Sequence, residues 1–137
     1  MKSKFKAMVL SCMDPRFQHL VQNHLKKKKL IGKYSAFTIA GAAVGVTHKK
    51  FKQWHKTFYD NLATSIQLHK IEKLIVINHK DCGATKIANG KKNFTPANEK
   101  KIHQESFTII KKQIKNRFPK LKVELNLMSL DSKITKF

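Results

Sequence analysis

The hydrophobic positions of this chain form two kinds of pattern, short continuous runs and longer spaced stripes. Apolar runs of strand length occupy residues 7–11 and 74–78, and residues 34–40 form a further strand candidate. Residues 121–130 instead alternate apolar and polar side chains. Continuous runs are typical of strands buried on both faces, and alternation is typical of a strand with one buried face. The pattern therefore predicts four strands.

Spaced stripes predict three helices between these strands. Asp14 can cap the first helix, Pro15 suits its first position, and apolar residues recur at helical spacing until Gly32. Its lysines at 26–29 lie in the last turn, where the helix dipole favours positive charge. A second, amphipathic helix is predicted over 51–70.

A third helix is predicted from Ile102 to Ile114, ending before Pro119. Residues 86–100 are polar and contain glycine and proline, which predicts a surface loop. The small residues at 41–45 predict a close approach of the backbone to another group. We find no internal repeats.

Strands that alternate with helices predict an α/β fold: a three-layer, mainly parallel sheet flanked by helices, in one domain spanning 1–137. With the second strand on one side of the first and the third on the other, the strand order is 2-1-3-4. The carboxyl ends of strands one and three then form the topological switch point, where open α/β sheets bind ligands.

The composition adds a strong positive charge. The formal net charge is +21, and only Arg16 and Arg117 are arginines. Such a charge predicts attraction to polyanions, but specific base recognition depends on arginine, so we expect nucleic acid to bind only non-specifically. The apolar run at 7–10 is too short for a signal-peptide core, and no stretch has about 18 consecutive apolar residues. We therefore expect a cytoplasmic protein with no membrane partner.

The two cysteines, Cys12 and Cys82, lie far apart in the sequence. In a reducing compartment such a pair indicates a metal site, a reactive thiol or two buried thiols before it indicates a disulfide. Cys12 follows the first strand, and His79 and Cys82 follow the third, so all three reach the switch point. Two thiolates and one imidazole suit Zn²⁺ and leave one tetrahedral position open.

Two further residues lie close to this set in the sequence. Asp14 is two residues past Cys12, and Arg16 is two past Asp14. A bidentate arginine can keep a carboxylate ionised and away from a metal, where the carboxylate can accept a hydrogen bond. The alternative is a plain helix cap for Asp14 and a solvated cation for Arg16.

The segments Cys12-Met13-Asp14-Pro15-Arg16 and His79-Lys80-Asp81-Cys82-Gly83 resemble the two signature motifs of β-class carbonic anhydrases. The resemblance implies reversible hydration of carbon dioxide to bicarbonate by a hydroxide on zinc, with Cys12, His79 and Cys82 as ligands. It implies that Asp14 and Arg16 form an orienting catalytic pair, and that the protein is a homodimer. The family also has closed sites, in which the equivalent aspartate coordinates zinc.

The sequence departs from that family in several places. Thr38-Ile39 stands where members usually carry an arginine-asparagine pair, which reduces the polar support near the site. Only eleven residues precede Cys12, so we expect the amino-terminal helices that embrace a partner subunit, and a substrate-pocket glutamine, to be missing. We expect Asp81 to be a solvated or capping carboxylate.

Three alternative functions remain open. The same ligands would serve a hydrolase of carbon disulfide or carbonyl sulfide. A zinc domain with little catalysis would use Asp14 as fourth ligand and its basic surface to bind a partner. A cysteine-dependent phosphatase needs an arginine six positions after the cysteine, where this chain has Gln18. We expect surface or half-buried roles for the remaining histidines, which are His19, His24, His48, His55, His69 and His103.

Overall fold

A five-stranded, mainly parallel sheet forms the centre of the molecule in the computed structural model, which describes residues 4–137. Its strand order is β2-β1-β3-β4-β5, and all neighbours are parallel except β4 and β5. The α/β class and the order 2-1-3-4 predicted from sequence are confirmed. The strands are β1 (Ala7–Ser11), β2 (Tyr34–Thr38), β3 (Lys73–His79), β4 (Lys122–Met128) and β5 (Ile134–Lys136).

Helices cover both faces of this sheet and give the predicted three layers. Short 3-10 turns at Pro15–Phe17 and Lys49–Phe51 precede two of them. Among residues 4–137, no helix combines the length and apolarity that crossing a bilayer requires. The helices are α1 (Gln18–Lys27), α2 (Ala43–Thr47), α3 (Lys52–His69), α4 (Gly83–Ala88) and α5 (Pro96–Arg117).

The alternation of side chains along the strands divides the core into two parts. Val9 and Ile75 face the side covered by α1, where Phe17 is buried with them. Leu10 and Val76 face the side covered by α2, α3 and α5. Because β3 is central and buried on both faces, nearly every residue of the LIVIN run is apolar.

The surface loop predicted over residues 86–100 is shorter in the structure. We expected a loop there, but α4 extends to Ala88 and α5 begins at Pro96, so the loop covers only 89–95. The Thr95 side chain accepts a hydrogen bond from the Asn98 amide, and Pro96 occupies the first turn. The first turn of α5 is largely exposed, so no apolar stripe marks it. The short antiparallel strand β5 was also not predicted.

The small-residue segment after β2 makes the close contacts that the sequence predicted. Gly41 and Ala42 both adopt positive φ, at 82° and 49°, and α2 follows at once. A Cβ at Gly45 would lie 2.1 Å from the Ala40 carbonyl oxygen, so only glycine fits there. This packing holds the loop against the ends of β1 and β3.

The strand register sets the position of the site. Ser11 at the end of β1 pairs with Ile77 on one side and with Thr38 on the other. Residues that follow Ser11 and Ile77 therefore emerge side by side at the carboxyl ends of β1 and β3. This is the predicted switch point, and Cys12 and His79 lie there.

Candidate metal centre

Three potential metal ligands converge at the carboxyl end of the sheet. The Sγ atoms of Cys12 and Cys82 are 4.0 Å apart. The ligand atoms of Cys12, His79 and Cys82 all lie within 4.8 Å of one another, and all three residues are buried. The three residues that the sequence placed together are therefore together in the fold.

Backbone geometry holds the two sulfurs in place. The Gly41 amide donates a hydrogen bond to Cys12 Sγ at 3.3 Å. The positive φ of Gly41 gives the amide this direction. Cys82 occupies the amino-terminal cap position of α4, directly after Asp81, whose φ is 57°. The Gly41 loop thus positions one thiol, and the start of α4 positions the other.

The His79 ring has one orientation and one free nitrogen. Its ring stacks on Phe17, with centroids 4.0 Å apart and planes at 25°. Nδ1 lies 2.7 Å from the Lys80 carbonyl oxygen, which only accepts, so Nδ1 carries the proton and donates it. Nε2 is buried and has no hydrogen-bond partner within the described chain. A bare, buried nitrogen beside two thiols fits a metal ligand.

The electrostatics of the cluster fit a bound cation. The hydrogen bond with Cys82, followed by burial, raises the pKa of the Cys12 thiol, and the same bond lowers the pKa of Cys82. Burial lowers the pKa of His79, but the polar contact and the charge of the neighbouring Cys82 side chain outweigh burial and raise it. The opposite shifts favour one thiolate beside one thiol, and a divalent cation would displace the proton of that thiol.

Asp14 and Arg16 form a close pair beside the cluster. Arg16 Nη2 donates to Asp14 Oδ2 at 2.8 Å, and Arg16 Nε donates to Oδ1 at 3.2 Å. The hydrogen bonds from Arg16 lower the pKa of the Asp14 carboxyl group. Oδ2 of Asp14 also lies 3.8 Å from His79 Nε2. The pair predicted from spacing therefore exists, and its carboxylate faces the three potential ligands.

Asp81 has more partners than the sequence indicated. It is exposed, as predicted, but Arg16 Nη1 donates to its Oδ2 at 3.1 Å and Arg16 Nη2 donates to its carbonyl at 3.0 Å. Lys86 forms an ion pair with the same carboxylate. Asp81 thus connects the two motifs through Arg16, a link that spans 65 positions of sequence.

Gln18 is a residue whose contact sequence reasoning missed. Its Nε2 donates to the carbonyl oxygens of Cys12 at 2.9 Å and Asp14 at 2.8 Å. One amide group thus closes the turn that carries both a potential ligand and the carboxylate. The signal available in the sequence was a polar residue at the start of a helix that directly follows a motif.

Asn78 and His103 form a buried polar network behind the site. Asn78 Oδ1 accepts from the Ala43 amide at 3.0 Å, and its Nδ2 donates to His103 Nδ1 at 2.9 Å. His103 is fully buried, so the prediction of a surface or half-buried role was wrong for it. The signal was the asparagine inside an otherwise apolar strand. Within the described residues, no histidine besides His79 belongs to a group able to hold a metal ion.

Comparison with known sequences identifies the family. The family model described as "Putative carbonic anhydrase" matches residues 1–127. An uncharacterized protein of Rickettsia bellii is 30% identical over 128 residues, which cover 93% of this chain and 78% of that protein. An uncharacterized protein of Rickettsia conorii is 30% identical over 125 residues, covering 90% and 67%.

Solved structures share the fold at low sequence identity. The carbonic anhydrase from Glaciozyma antarctica superposes with a TM-score of 0.63 at 18% identity, covering 99% of this chain and 83% of that one. The β-carbonic anhydrase CafA of Aspergillus fumigatus gives 0.64 at 9% identity, covering 98% and 76%. A tetrameric β-carbonic anhydrase from Sordaria macrospora gives 0.62 at 11% identity, covering 99% and 82%.

These comparisons agree with the motifs and with the geometry. The family model spans nearly the whole chain, and two of the structural relatives superpose on 99% and 98% of it. The resemblance inferred from the two motifs is confirmed. This chain belongs to the family described as "Putative carbonic anhydrase" and has the α/β fold of the β-carbonic anhydrases.

Proposed function

We propose that Cys12, His79 and Cys82 bind one Zn²⁺ ion. The observation that supports this best is the buried, unpartnered Nε2 of His79 facing two thiols. Two sulfurs bound at about 2.3 Å to a tetrahedral zinc ion lie about 3.8 Å apart. The observed separation of 4.0 Å requires little movement to reach that value.

We propose that the chain catalyses the reversible hydration of carbon dioxide to bicarbonate, as a carbonic anhydrase-like zinc lyase. When bound, zinc supplies a Lewis acid that lowers the pKa of water to near neutrality. One proton of the attacking water leaves to the solvent, and Asp14 accepts a hydrogen bond from the remaining O–H and so directs the oxygen lone pair toward carbon dioxide. Family membership supports the same substrate.

Arg16 acts on this step through Asp14. By occupying both carboxylate oxygens it keeps Asp14 ionised and engaged in hydrogen bonds, so that Asp14 does not itself coordinate the metal. The fourth coordination position then stays available to water. Asp81 holds the other side of the guanidinium, so Arg16 is fixed from two directions.

A zinc domain with little catalysis is the second candidate. Asp14 Oδ2 is 3.8 Å from His79 Nε2, so a rotation of the carboxylate away from Arg16 would make it the fourth ligand. The basic surface would then serve a binding partner. Hydrolysis of carbon disulfide or carbonyl sulfide would use the same residues as the proposed reaction and differ in the route by which the substrate enters.

We also propose that the protein forms a homodimer. β2 is an edge strand of the sheet, and its residues are half-buried or exposed, which leaves a row of backbone groups free for a second copy. Measurement of mass by light scattering after size exclusion would give twice the mass of one chain. A monomer at micromolar concentration would contradict this proposal.

Stopped-flow measurement of carbon dioxide hydration, on zinc-loaded protein above about pH 8, tests the proposed reaction. We expect a rate well above buffer for the wild type and none for Asp14→Ala. Metal analysis of the same samples gives the control, because Asp14→Ala should still hold one zinc ion. Full zinc content without any rate in the wild type would favour the second candidate.

A further inference from the structure

The amino end of the sheet, opposite the proposed metal site, carries a row of lysines. Backbone hydrogen bonds connect the residues at the strand starts in the order Lys33, Lys6, Glu72 and Lys122. Neighbouring strands lie about 4.8 Å apart, so these residues form a row across this end of the sheet, with Glu72 between Lys6 and Lys122. We call the strand-start lysines at 6, 33, 73 and 122, with Lys26, Lys29, Lys70 and Lys120 of the adjoining helix ends and loops, the lysine rim.

Glu72 and Glu124 are acidic side chains beside this rim, and its eight lysines outnumber them. No acidic residue occurs between Asp14 and Asp60 in the sequence. Among the described residues of the rim, only Lys73 forms an ion pair, and it shares Glu124 with the nearby Lys28. The rim therefore presents several unpaired positive charges on one end of the molecule.

An exposed isoleucine projects from the same end. Ile31 is 48% exposed and lies in the turn between α1 and β2, with Lys26, Lys29 and Lys33 around one shallow groove. Leu30 is buried in the core beneath it. Hydrogen bonds from the Leu30 amide at 3.0 Å and to the Leu30 carbonyl at 2.8 Å fix the turn. Ile31 is therefore held outward by the turn.

We infer that the lysine rim, with Ile31 at its tip, docks the protein on the surface of an anionic lipid bilayer. Clustered lysines bind acidic headgroups electrostatically, and an aliphatic side chain between them can enter the interface. The amino end of the sheet would then contact the membrane, and the proposed metal site at the carboxyl end would face the aqueous phase. This differs from the sequence expectation of no membrane partner, and it does not depend on the proposed reaction.

The composition of the rim favours lipid over nucleic acid. Nucleic-acid surfaces use arginine for base edges and aromatic rings for stacking. Arg16 lies at the opposite end of the sheet, and Arg117 lies over the Tyr59 ring at 4.1 Å. The rim offers lysines and one aliphatic side chain instead.

Co-sedimentation with vesicles tests the inference on the full chain. The vesicles contain phosphatidylcholine alone or with about 30% phosphatidylglycerol, at low salt. We expect binding to the anionic vesicles only. The double variant Lys33→Gln/Lys122→Gln should weaken that binding about tenfold, and Ile31→Ser should weaken it about fivefold.

Two matched control variants distinguish docking through the lysine rim from general attraction between the positively charged protein and anionic lipid. Lys91→Gln/Lys92→Gln removes the same charge from the exposed loop between α4 and α5, and Ile109→Ser removes an isoleucine that is 41% exposed on α5. Both should bind like the wild type. Equal loss in the lysine control would overturn the inference, as would unchanged binding by Ile31→Ser. Tighter binding to a single-stranded oligonucleotide than to vesicles would overturn it too and assign the rim to nucleic acid.

Discussion

The two ends of the parallel sheet differ in how their polar side chains are held. At the carboxyl end, Asp14, Arg16 and Asp81 each bond to another named group, and the three potential metal ligands are buried. At the amino end, most lysines of the rim are exposed and unpaired. Single substitutions should therefore have large, local effects at the carboxyl end and small, additive effects at the amino end.

The largest difference between the two ends of the sheet should appear in zinc affinity, when one proposed metal ligand is removed. Cys82→Ser should weaken zinc binding more than about a hundredfold, because one of the three protein ligands supplies roughly 4 kcal/mol of a total near 12 kcal/mol. Titration against a chelator of known affinity measures the constant. Lys122→Gln at the amino end is the control. If this variant lost as much zinc affinity as Cys82→Ser, the proposed difference between the two ends of the sheet would be wrong.

The next largest effect concerns the two arginines. Arg16→Gln should lower the rate of carbon dioxide hydration about a hundredfold, because Asp14 loses the group that orients it. Zinc content should stay at one ion per chain. Arg117→Gln removes the only other arginine, which contacts Tyr59, and should leave the rate unchanged. If both variants kept full activity, Arg16 would have no role in the proposed reaction.

Acid should destabilise the carboxyl end through His103. Burial lowers the pKa of His103 from 6.5 to about 4. A folded-state pKa below the unfolded value gives stability above pH 6.5 that is lost as the pH falls toward 4. The free energy of unfolding should drop by about 2 kcal/mol between pH 7 and pH 5 from this group.

Urea unfolding of metal-free protein at several pH values measures that loss. His103→Leu is the comparison variant, because it lacks the titrating ring. We expect His103→Leu to be less stable overall and to show a flatter dependence on pH. A wild type and a variant with parallel pH profiles would show that His103 does not titrate in this range.

The smallest predicted effect concerns Gln18. Gln18→Met keeps the size of the side chain but removes both hydrogen bonds to the Cys12 and Asp14 carbonyls. Loss of such supporting contacts typically weakens metal binding about tenfold. Gln22→Met, one turn further along α1 and exposed, is the matched control. Zinc affinities that agree for the two variants would contradict a positioning role for Gln18.

Sequence reasoning found the sheet and the ligand cluster because both depend on strong, local signals. A central parallel strand must be apolar on both faces, so β3 was visible in the sequence. Once β1 and β3 were adjacent, Cys12 and His79 had to emerge at the same edge. Family motifs at the same places gave independent support.

The features that sequence reasoning missed depend on contacts between distant segments. The first turn of α5 is largely exposed and shows no apolar stripe. β5 has three residues and pairs only with the end of β4. The bond between Asn78 and His103 joins two elements that are 25 positions apart, and no local pattern indicates such a partner.

Gly45 should tolerate no substitution in a mutational survey of this protein. Its neighbour, the Ala40 carbonyl, leaves no room for even one methyl group, and the same loop directs the Gly41 amide at Cys12 Sγ. An alanine at position 45 would therefore push the loop and disturb the sulfur from a distance. In a complete substitution scan, this glycine would score as intolerant as a metal ligand although it binds nothing.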